Sequence, residues 1–348
     1  TTNASEILLK GTQDVLISAG TSASRRSVTT SGGAVTLWAN ADASSLGSIE
    51  VGNYTDISTG AGAITLAGST TATEAAPTGY ATGSTNSFGV EIGTSAVATD
   101  SVKLTTTSGA ITIRGLMSQT NSLGVGVAIV SGSNLTSSTG PITIDGQSYL
   151  PTGTSQGHAT YLNYLGGYTS TITTGATSGT AISISGVVTS GAGSSTNAFG
   201  VLAWLGTGSN NISATGGGSI SVSGVAATNT GDSIALNKTN LFATSGNITL
   251  NGGAQRVILS QNAANYIGGA TAAADHTGDL SICGGNVVFH SSYWTYLRTA
   301  GNLVIEPCSG SFTAAQSWAG TDVSMLAKSA RFGRVGNTAN ITTSVALS

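Results

Sequence analysis

Two stretches of this chain, SGAITIRG at Ser108–Gly115 and TGPITIDG at Thr139–Gly146, decide its fold. Each stretch begins with small polar residues, continues with apolar and polar residues in alternation, and ends with glycine. An alternation with a period of two places every second side chain on one face, which is the pattern of a half-buried β-strand. The phrase recurs along the chain, and its first apolar residue is found at Val35, Ile64, Ile111, Ile142, Ile182, Ile220, Ile248, Leu280 and Leu303.

Two further elements accompany this phrase. In the middle of the chain, TNSFGVEI at Thr85–Ile92, TNSLGVGV at Thr120–Val127 and TNAFGVLA at Thr196–Ala203 are near copies. Their alignment predicts a third apolar column, which consists of Phe88, Leu123, Tyr161, Phe199 and Ile234. Another apolar residue often lies seven residues before the first apolar residue of the phrase, as at Val28, Ile57, Leu104, Leu135 and Leu241. Each repeat therefore consists of short strands joined by corners of Ser, Thr and Gly, which tolerate sharp turns.

Short strands with one apolar face cannot bury that face alone, but stacked coils bury all such faces in one continuous core. The sequence therefore predicts an all-β fold, a right-handed parallel β-helix (β-solenoid) with about three strands per coil. We expect a single elongated solenoid over 1–348, with longer repeats and loops in 1–250 and coils of about 20–23 residues in 251–348. Coils of that length predict a rod on the order of 75 Å long.

The repeat also admits other interpretations. The central period of about 35–38 residues fits either one coil with an inserted loop or two short coils. An antiparallel sandwich is disfavoured because regular Asn-Gly or Asp-Gly hairpin signals are missing from the sequence. A β-propeller needs blades of about 40 residues that each show four clear strands.

The composition excludes several classes of protein. Charged residues make up 7% of the chain, so helix formers such as Glu, Lys and Arg are too scarce for a helical bundle. A net charge of −3 leaves no basic surface for nucleic acid. Membrane insertion is not expected, because no apolar run approaches the ~20 residues of a membrane-spanning helix. Uncharged Ser and Thr on the outer faces avoid the repulsion of like charges stacked in successive coils.

The two cysteines, Cys283 and Cys308, are a candidate disulfide. With coils of about 20–23 residues, position 283 stacks near position 306, which brings the two sulfurs within a residue or two of register. An oxidising compartment favours the disulfide, whereas a reducing one would leave two buried thiols. Neither these cysteines nor the three histidines, which we interpret as turn and surface residues, have the spacing of a metal site. We therefore expect no metal and no cofactor.

The acidic residues give little support for catalysis, because acid–base chemistry on a polysaccharide needs carboxylates that lie close together. Asp145 and Glu306 follow equivalent strands but are coils apart, and Asp275 and Asp279 flank His276. The Asp275–Asp279 cluster is either a small acid–base or metal site or, as we favour, a solvated corner of stacked Asn and Asp side chains. We predict that the protein is not an enzyme.

One cluster of aromatic residues lies near the C-terminus. Tyr293, Trp294 and Tyr296 form a candidate patch for a partner or a glycan, with Phe289 just before it and Phe312 and Trp318 after it. The alternative, which the sequence favours, is that these rings fill the core and close the end of the narrower coils, because aromatic side chains bury large areas.

The ladder of Ser-Gly-x-Ile-Thr-Leu phrases resembles the shafts of filamentous-haemagglutinin-type exoproteins of two-partner secretion and the β-helix shafts of autotransporter passengers. The resemblance covers most of the chain, although the Asn-Pro-Asn motifs of that family's secretion domain are missing here. It implies a bacterial cell-surface or secreted rod that serves adhesion, biofilm formation or spacing.

From these observations we expect an extracellular structural or adhesive β-solenoid, either an adhesin shaft or a subunit of a filament. The expected partners are further copies stacked end to end, or a glycan or protein on a host or neighbouring cell. A β-helix carbohydrate-active enzyme and a glycan-binding module are the alternatives. The final ITTSVALS is still strand-like, which predicts either a piece of a longer rod or a subunit that stacks along its axis.

Overall fold

The structure is a computed structural model that describes residues 5–43, 46–83, 88–95, 101–118, 123–150, 156–190, 197–203, 207–226, 231–260, 263–269 and 276–345. Over these ranges the regular secondary structure is β-strand, and the strands pair in parallel within long sheets. The same ranges contain no helix that is long and apolar enough to cross a bilayer.

Three parallel sheets follow the axis of the solenoid. Sheet 1 contains the repeated phrase, and its strands in order of pairing are β1 (Ile7–Lys10), β4 (Val35–Ala39), β7 (Ile64–Gly68), β11 (Ile111–Met117), β14 (Ile142–Leu150), β17 (Thr180–Ser190), β20 (Ser219–Val225), β23 (Ile248–Asn251), β26 (Leu280–Cys283), β29 (Asn302–Glu306) and β32 (Ser329–Phe332), with β8 (Ala81–Gly83) beside β11. Sheet 2 consists of β3 (Arg26–Thr30), β6 (Thr55–Thr59), β10 (Val102–Thr106), β13 (Asn134–Ser137), β16 (Ser170–Thr174), β19 (Asn210–Ala214), β22 (Thr239–Ala243), β25 (Asn265–Ile267), β28 (Thr295–Arg298) and β31 (Val323–Leu326).

Sheet 3 closes each coil. Its strands are β2 (Val15–Ile17), β5 (Ile49–Val51), β9 (Phe88–Ile92), β12 (Leu123–Val130), β15 (Gln156–Tyr164), β18 (Asn197–Ala203), β21 (Asp232–Leu236), β24 (Arg256–Leu259) and β27 (Asn286–Phe289). A two-stranded sheet of β30 (Gln316–Trp318) and β33 (Ile341–Thr343) comes after it. The chain passes from sheet 2 to sheet 1 to sheet 3 in each coil, so the prediction of a parallel β-solenoid with about three strands per coil is confirmed.

The predicted apolar columns of sheets 1 and 2 are confirmed. In sheet 1, Val35 pairs with Ile64, Ile64 with Ile111, and Ile111 with Ile142. All four side chains are fully buried. The second column continues through sheet 2 in the same way, from Val28 through Ile57, Leu104, Leu135, Ile172, Ile212, Leu241, Ile267 and Leu297 to Met325.

The predicted third column was wrong in its register. Phe88 pairs with Val125, Val125 pairs with His158, and His158 pairs with Phe199. Val125 belongs to a second apolar cluster, which lies outside the main core on the outer face of sheet 3, and Phe199 packs against that cluster. The side chains of sheet 3 that face the core lie two residues further along each strand. This inward column consists of Val90, Val127, Thr160, Val201 and Ile234.

The stack of coils is shorter than the expected length of about 75 Å, because most coils contain more than about 20–23 residues. Paired sheet 1 residues lie 23 residues apart at Leu280 and Leu303 but 47 apart at Ile64 and Ile111. The sheet 1 path contains 11 strands, since β8 lies off it, and ten steps of about 4.8 Å give about 48 Å rather than 75 Å. Ile142 pairs directly with Ile182, so the long central repeat is one coil and not two.

The extra residues of the central coils lengthen the strands of sheets 1 and 3 beyond the shared core. There the two sheets pack directly against each other, as a flat two-layer extension of the solenoid. The glycine that ends the repeated phrase makes this possible. A Cβ atom on Gly146 would overlap the carbonyl oxygen of Ala159, and one on Gly186 would overlap that of Gly200. The close approach of backbones therefore requires glycine at this column.

The corners between sheets 2 and 1 carry a column of buried hydroxyl groups. The Thr106 hydroxyl donates to the carbonyl oxygen of Gly109 over 2.6 Å and contacts the Ser137 hydroxyl at 2.9 Å. The Thr30, Thr59 and Thr174 hydroxyls bond corner carbonyls in the same way. These bonds satisfy backbone groups that the sharp turn removes from the ladders.

Candidate functional site

An aromatic strip lies on the outer face of sheet 2 near its C-terminal end. We define this strip as Tyr266, Trp294, Tyr296 and Arg298. Tyr266 on β25 pairs with Tyr296 on β28, and the flanking Asn265, Ile267, Thr295 and Leu297 are fully buried. Because side chains alternate along a strand, burial of these neighbours places the tyrosines on the solvent side.

The rings of the strip are stacked. The Tyr266 and Tyr296 ring centroids are 4.8 Å apart with an interplanar angle of 2°. Rings lying side by side in one plane would clash at that distance, so the two rings overlap face to face. Trp294 lies 6.0 Å from Tyr296 at an interplanar angle of 19°. The Arg298 guanidinium carbon is 5.2 Å from the Tyr296 ring centroid, a cation–π arrangement.

Trp294 and Tyr293 are the exposed members of the predicted patch, with 42% and 44% of their surfaces accessible. The alternative prediction, that the C-terminal aromatic rings fill the core, describes three other rings of the same cluster. Phe289, Phe312 and Trp318 are at most 6% exposed and belong to the main apolar core. Thus the same sequence cluster divides between the interior and the surface.

Tyr266 and Arg298 are parts of the strip that the sequence analysis missed. Tyr266 is 30 residues from Tyr296 in sequence, and only the pairing of β25 with β28 brings them together. An available signal was the shared strand pattern NYI at 265–267 and TYL at 295–297, in which the tyrosine alternates with core positions.

A polar row continues the strip along sheet 2 toward the N-terminal coils. Asn240 pairs with Tyr266, and Asn211 pairs with Asn240. The Asn240 amide nitrogen donates to the Asn211 side-chain oxygen over 2.7 Å. Aromatic surface and stacked side-chain amides therefore lie side by side on one flat face, which offers both apolar contact and hydrogen bonds to a ligand.

The two cysteines lie at the end of the sheet 1 strands. Cys283 pairs with Glu306, two residues before Cys308, and a disulfide joins Cys283 to Cys308. The disulfide therefore links two adjacent coils, and the side-chain oxygen of Asn251 in the preceding coil lies 3.5 Å and 3.2 Å from the two sulfurs.

The acidic residues singled out from the sequence have structural partners. Asp145 accepts hydrogen bonds from the Tyr80 and Ser185 hydroxyls at 2.6 and 2.8 Å, and Glu306 forms a 2.9 Å salt bridge with Arg331. Asp279 stands in a corner ladder in which it accepts a 2.8 Å bond from the Asn302 backbone nitrogen. Asp275 lies outside the described residues.

The interpretation of the histidines as turn and surface residues was wrong for two of them. His158 is 5% exposed and His276 is fully buried, where its Nδ1 lies 2.6 Å from the Ala243 carbonyl oxygen. Burial lowers the pKa of His158 to about 4 and also lowers the pKa of His276. Burial therefore favours the neutral form of both rings, and His158 packs against the Tyr161 and Phe199 rings on the outer face of sheet 3.

A pair of carboxylates on the outer face of sheet 3 was also missed. Glu50 pairs in register with Glu91, within the matching segments IEV at 49–51 and VEI at 90–92. Burial, reinforced by the neighbouring Glu50 charge, raises the pKa of Glu91 to about 8. Across the described ranges, no three His, Cys, Asp or Glu residues are grouped so as to hold a metal ion.

Comparison with known proteins adds no further constraint on this surface. No family model, curated protein sequence or solved structure matches the chain.

Proposed function

We propose that this protein is an extracellular structural and adhesive β-solenoid, and that the aromatic strip on sheet 2 is its glycan-binding surface. The observation that carries the proposal is the stacked set of Tyr266, Tyr296 and Trp294 on the outer face of sheet 2. The resemblance to secreted shafts fits the same role, with the protein at a bacterial cell surface or released from it.

The solenoid supplies the mechanical part of this role. Successive coils are joined by backbone ladders in three sheets, and one continuous apolar core fills the interior from Val15 to Met325. Such an array resists bending because each coil is bonded to both neighbours along its whole perimeter. The disulfide between Cys283 and Cys308 supports an oxidising compartment, as expected outside the cytoplasm.

The adhesive part rests on the chemistry of sugars. A pyranose ring has an apolar C–H face that packs on an aromatic ring, and hydroxyl groups at its edge that need hydrogen-bond partners. Trp294 offers an exposed ring, and Asn240 and Asn211 offer amide groups on the same sheet. A cell-surface polysaccharide can therefore lie along the face without entering a pocket.

A glycan array with the wild-type chain and two variants tests this proposal. Trp294→Ala should weaken binding to the recognised glycan at least about tenfold, since removal of one buried aromatic contact costs about 1.4 kcal/mol or more. Tyr149→Ala removes an equally exposed ring, 44% accessible on sheet 1, and should leave binding unchanged. Failure of the wild type to bind any glycan, or equal effects of the two variants, would refute the proposal.

End-to-end association is part of the same proposal. In β1 the core-facing Leu9 is 38% exposed, whereas its column partners Leu37 and Leu66 are fully buried. At the other end of sheet 1, Phe332 on β32 is half-buried beside the core. A second copy that pairs its β32 with β1 would cover both residues. Light scattering should show concentration-dependent oligomers that Leu9→Lys abolishes, and a monomer at high concentration would contradict this.

A polysaccharide-cleaving activity is the second candidate, favoured by Glu50 and Glu91. The raised pKa of Glu91 makes its carboxyl group a candidate proton donor, and the Glu50 carboxyl group lies in register on the adjacent strand. Release of reducing ends from a polysaccharide panel, abolished by Glu91→Gln and by Glu50→Gln but not by exposed Glu6→Gln, would establish it. Absence of release across the panel would leave the binding role alone.

A further inference from the structure

We propose that the aromatic strip selects a glycan that carries a carboxylate, with the Arg298 guanidinium as the group that pairs with it. This inference rests on the proposed glycan-binding function and specifies its ligand class. It is carried by the charge, burial and placement of Arg298.

Arg298 differs from three other arginines, which have carboxylate partners. Arg25, Arg256 and Arg331 form salt bridges with Asp56, Asp232 and Glu306 respectively. Within the described part of the chain, the Arg298 side chain forms neither a salt bridge nor a hydrogen bond. Its guanidinium is instead placed over the Tyr296 ring.

The side chain of Arg298 has a buried hydrogen-bond donor without an acceptor. Its Nε atom is buried and has no hydrogen-bond acceptor among the described residues. Removing water from one edge of a guanidinium costs free energy when no carboxylate partner replaces it. An anionic ligand that binds the Nη atoms at the outer edge offsets part of that cost. The fork of Nη donors matches a carboxylate bidentately, which a lysine would not do.

The surroundings of Arg298 on sheet 2 contain no competing acid among the described residues. Its register neighbour on β31 is Leu326, and the Tyr296 neighbour on that strand is Ser324. The acid of that coil, Asp322, precedes β31 at the opposite end of the strip, and its carboxylate accepts a 2.9 Å bond from the Thr321 hydroxyl. The described strand neighbours of Arg298 therefore offer it no carboxylate.

The strip also sets the minimum size of the ligand. Trp294 lies immediately before β28, and Arg298 is the last residue of that strand. The Trp294 ring centroid lies 6.0 Å and the Arg298 guanidinium carbon 5.2 Å from the Tyr296 ring centroid, so the Trp294 ring and the guanidinium are at most about 11 Å apart. Both groups contact the Tyr296 ring, so a sugar ring packed on Trp294 leaves Arg298 to the next ring of a chain that continues over Tyr296. The ligand is therefore an oligosaccharide in which one ring contacts Trp294 and the carboxylate of a neighbouring ring reaches Arg298.

The test compares uronic-acid oligosaccharides with their methyl esters, because esterification removes the charge and keeps the sugar rings. Wild-type protein should bind the free acids at least about tenfold more tightly than the esters, by calorimetry at low salt. Arg298→Gln should lose this preference and bind acid and ester with the affinity that the wild type has for the ester. Arg26→Gln, an exposed arginine on β3 of the same sheet, should behave as wild type.

The outcomes separate this inference from the function on which it rests. If acids and esters bind equally, and Trp294→Ala weakens both, selection of a carboxylate is refuted while the glycan-binding function stands. If no oligosaccharide binds, or Trp294→Ala changes nothing, the binding function itself fails. Dextran sulfate serves as a further probe, because binding as tight as that of the uronates would show general attraction to anions and refute recognition of a carboxylate.

Discussion

The central coils and the C-terminal coils are built from the same repeated phrase but have different cross-sections. In the central coils, β14 and β17 have 9 and 11 residues, and sheets 1 and 3 continue as a flat two-layer extension. In the C-terminal coils, β26 and β29 have 4 and 5 residues, and the interior holds the aromatic rings of Phe289, Phe312 and Trp318. The interior is therefore filled differently in the central coils and in the C-terminal coils.

The residues immediately after the repeated phrase cause this difference. After Gly146 and Gly186 the chain continues as strand, and the absence of a Cβ lets sheet 3 come within backbone contact. After Cys283 only Gly284 and Gly285 precede the next strand, so the chain turns at once into sheet 3. Strand pairing between coils is thus common to the whole solenoid, whereas the shape of each coil depends on a few residues at one corner.

The largest expected effect is on the glycine column of the central coils. Gly146→Val would place side-chain atoms where the Ala159 carbonyl now lies, and should lower the free energy of unfolding by about 3 kcal/mol. Denaturant unfolding followed by circular dichroism measures this. Gly310→Ala is the control, because space around Gly310 is open and only its positive φ of 36° adds a cost, of about 1 kcal/mol. Equal destabilisation by both variants would show that the close packing is unimportant.

The disulfide should matter next, and only to the C-terminal coils. Loss of the bridge in a Cys283→Ser, Cys308→Ser double variant should cost about 2–3 kcal/mol. Hydrogen exchange should then accelerate in β26 and β29 while β14 and β17 keep their protection, since coils contact chiefly their neighbours. A Ser281→Ala variant on the same strand serves as the control. Uniform loss of protection along the chain would mean that the central and the C-terminal coils unfold together, which contradicts the prediction.

A pH-dependent contribution is expected in the N-terminal half, at Glu91. Its folded-state pKa of about 8 lies above the ordinary value of 4.5, so folding is favoured by the protonated carboxyl. This stability is fully present below pH 4.5 and is lost as the pH rises toward 8. Glu91→Gln should remove that dependence and leave the protein roughly 2 kcal/mol more stable than wild type at pH 9, allowing for solvent screening.

Thermal unfolding between pH 4 and pH 9 measures this contribution. Exposed Glu6→Gln is the matched control and should retain the wild-type profile. A wild-type profile that is flat between pH 5 and pH 8 would contradict a raised pKa at Glu91.

The smallest expected effect concerns the corner between sheets 2 and 1. Thr106→Ala removes the bonds to Gly109 and Ser137 and should cost about 1 kcal/mol. In the later coils Ala214 and Ala243 occupy this column, so the reverse change Ala243→Thr should be neutral or stabilising. Thr105→Ala, on the exposed face of the same strand, controls for strand propensity. A loss at Thr105 equal to that at Thr106 would show that the corner bond contributes nothing.

The sequence was sufficient for the columns with strict alternation. Val35 through Leu303 could be aligned because each carries the period-two phrase, and Val28 through Leu241 because each lies seven residues before the first apolar residue of that phrase. Sheet 3 was placed in the wrong register because its strands have apolar residues on both faces, so the pattern does not distinguish inside from outside. The strip was half predicted: Trp294 and Tyr296 are close in sequence, whereas Tyr266 and Arg298 needed the register of β25 with β28.

The sequence by itself determined that this chain coils into a parallel β-solenoid, because apolar alternation between small polar corners leaves stacking as the way to bury every strand. The tertiary structure decided how many coils there are, which aromatic rings face solvent and which side chains meet across coils. These depend on the length of each coil and on where successive strands align. Both result from packing and pairing between residues that are distant in sequence, as at Tyr266 and Tyr296, 30 positions apart, which local sequence does not encode.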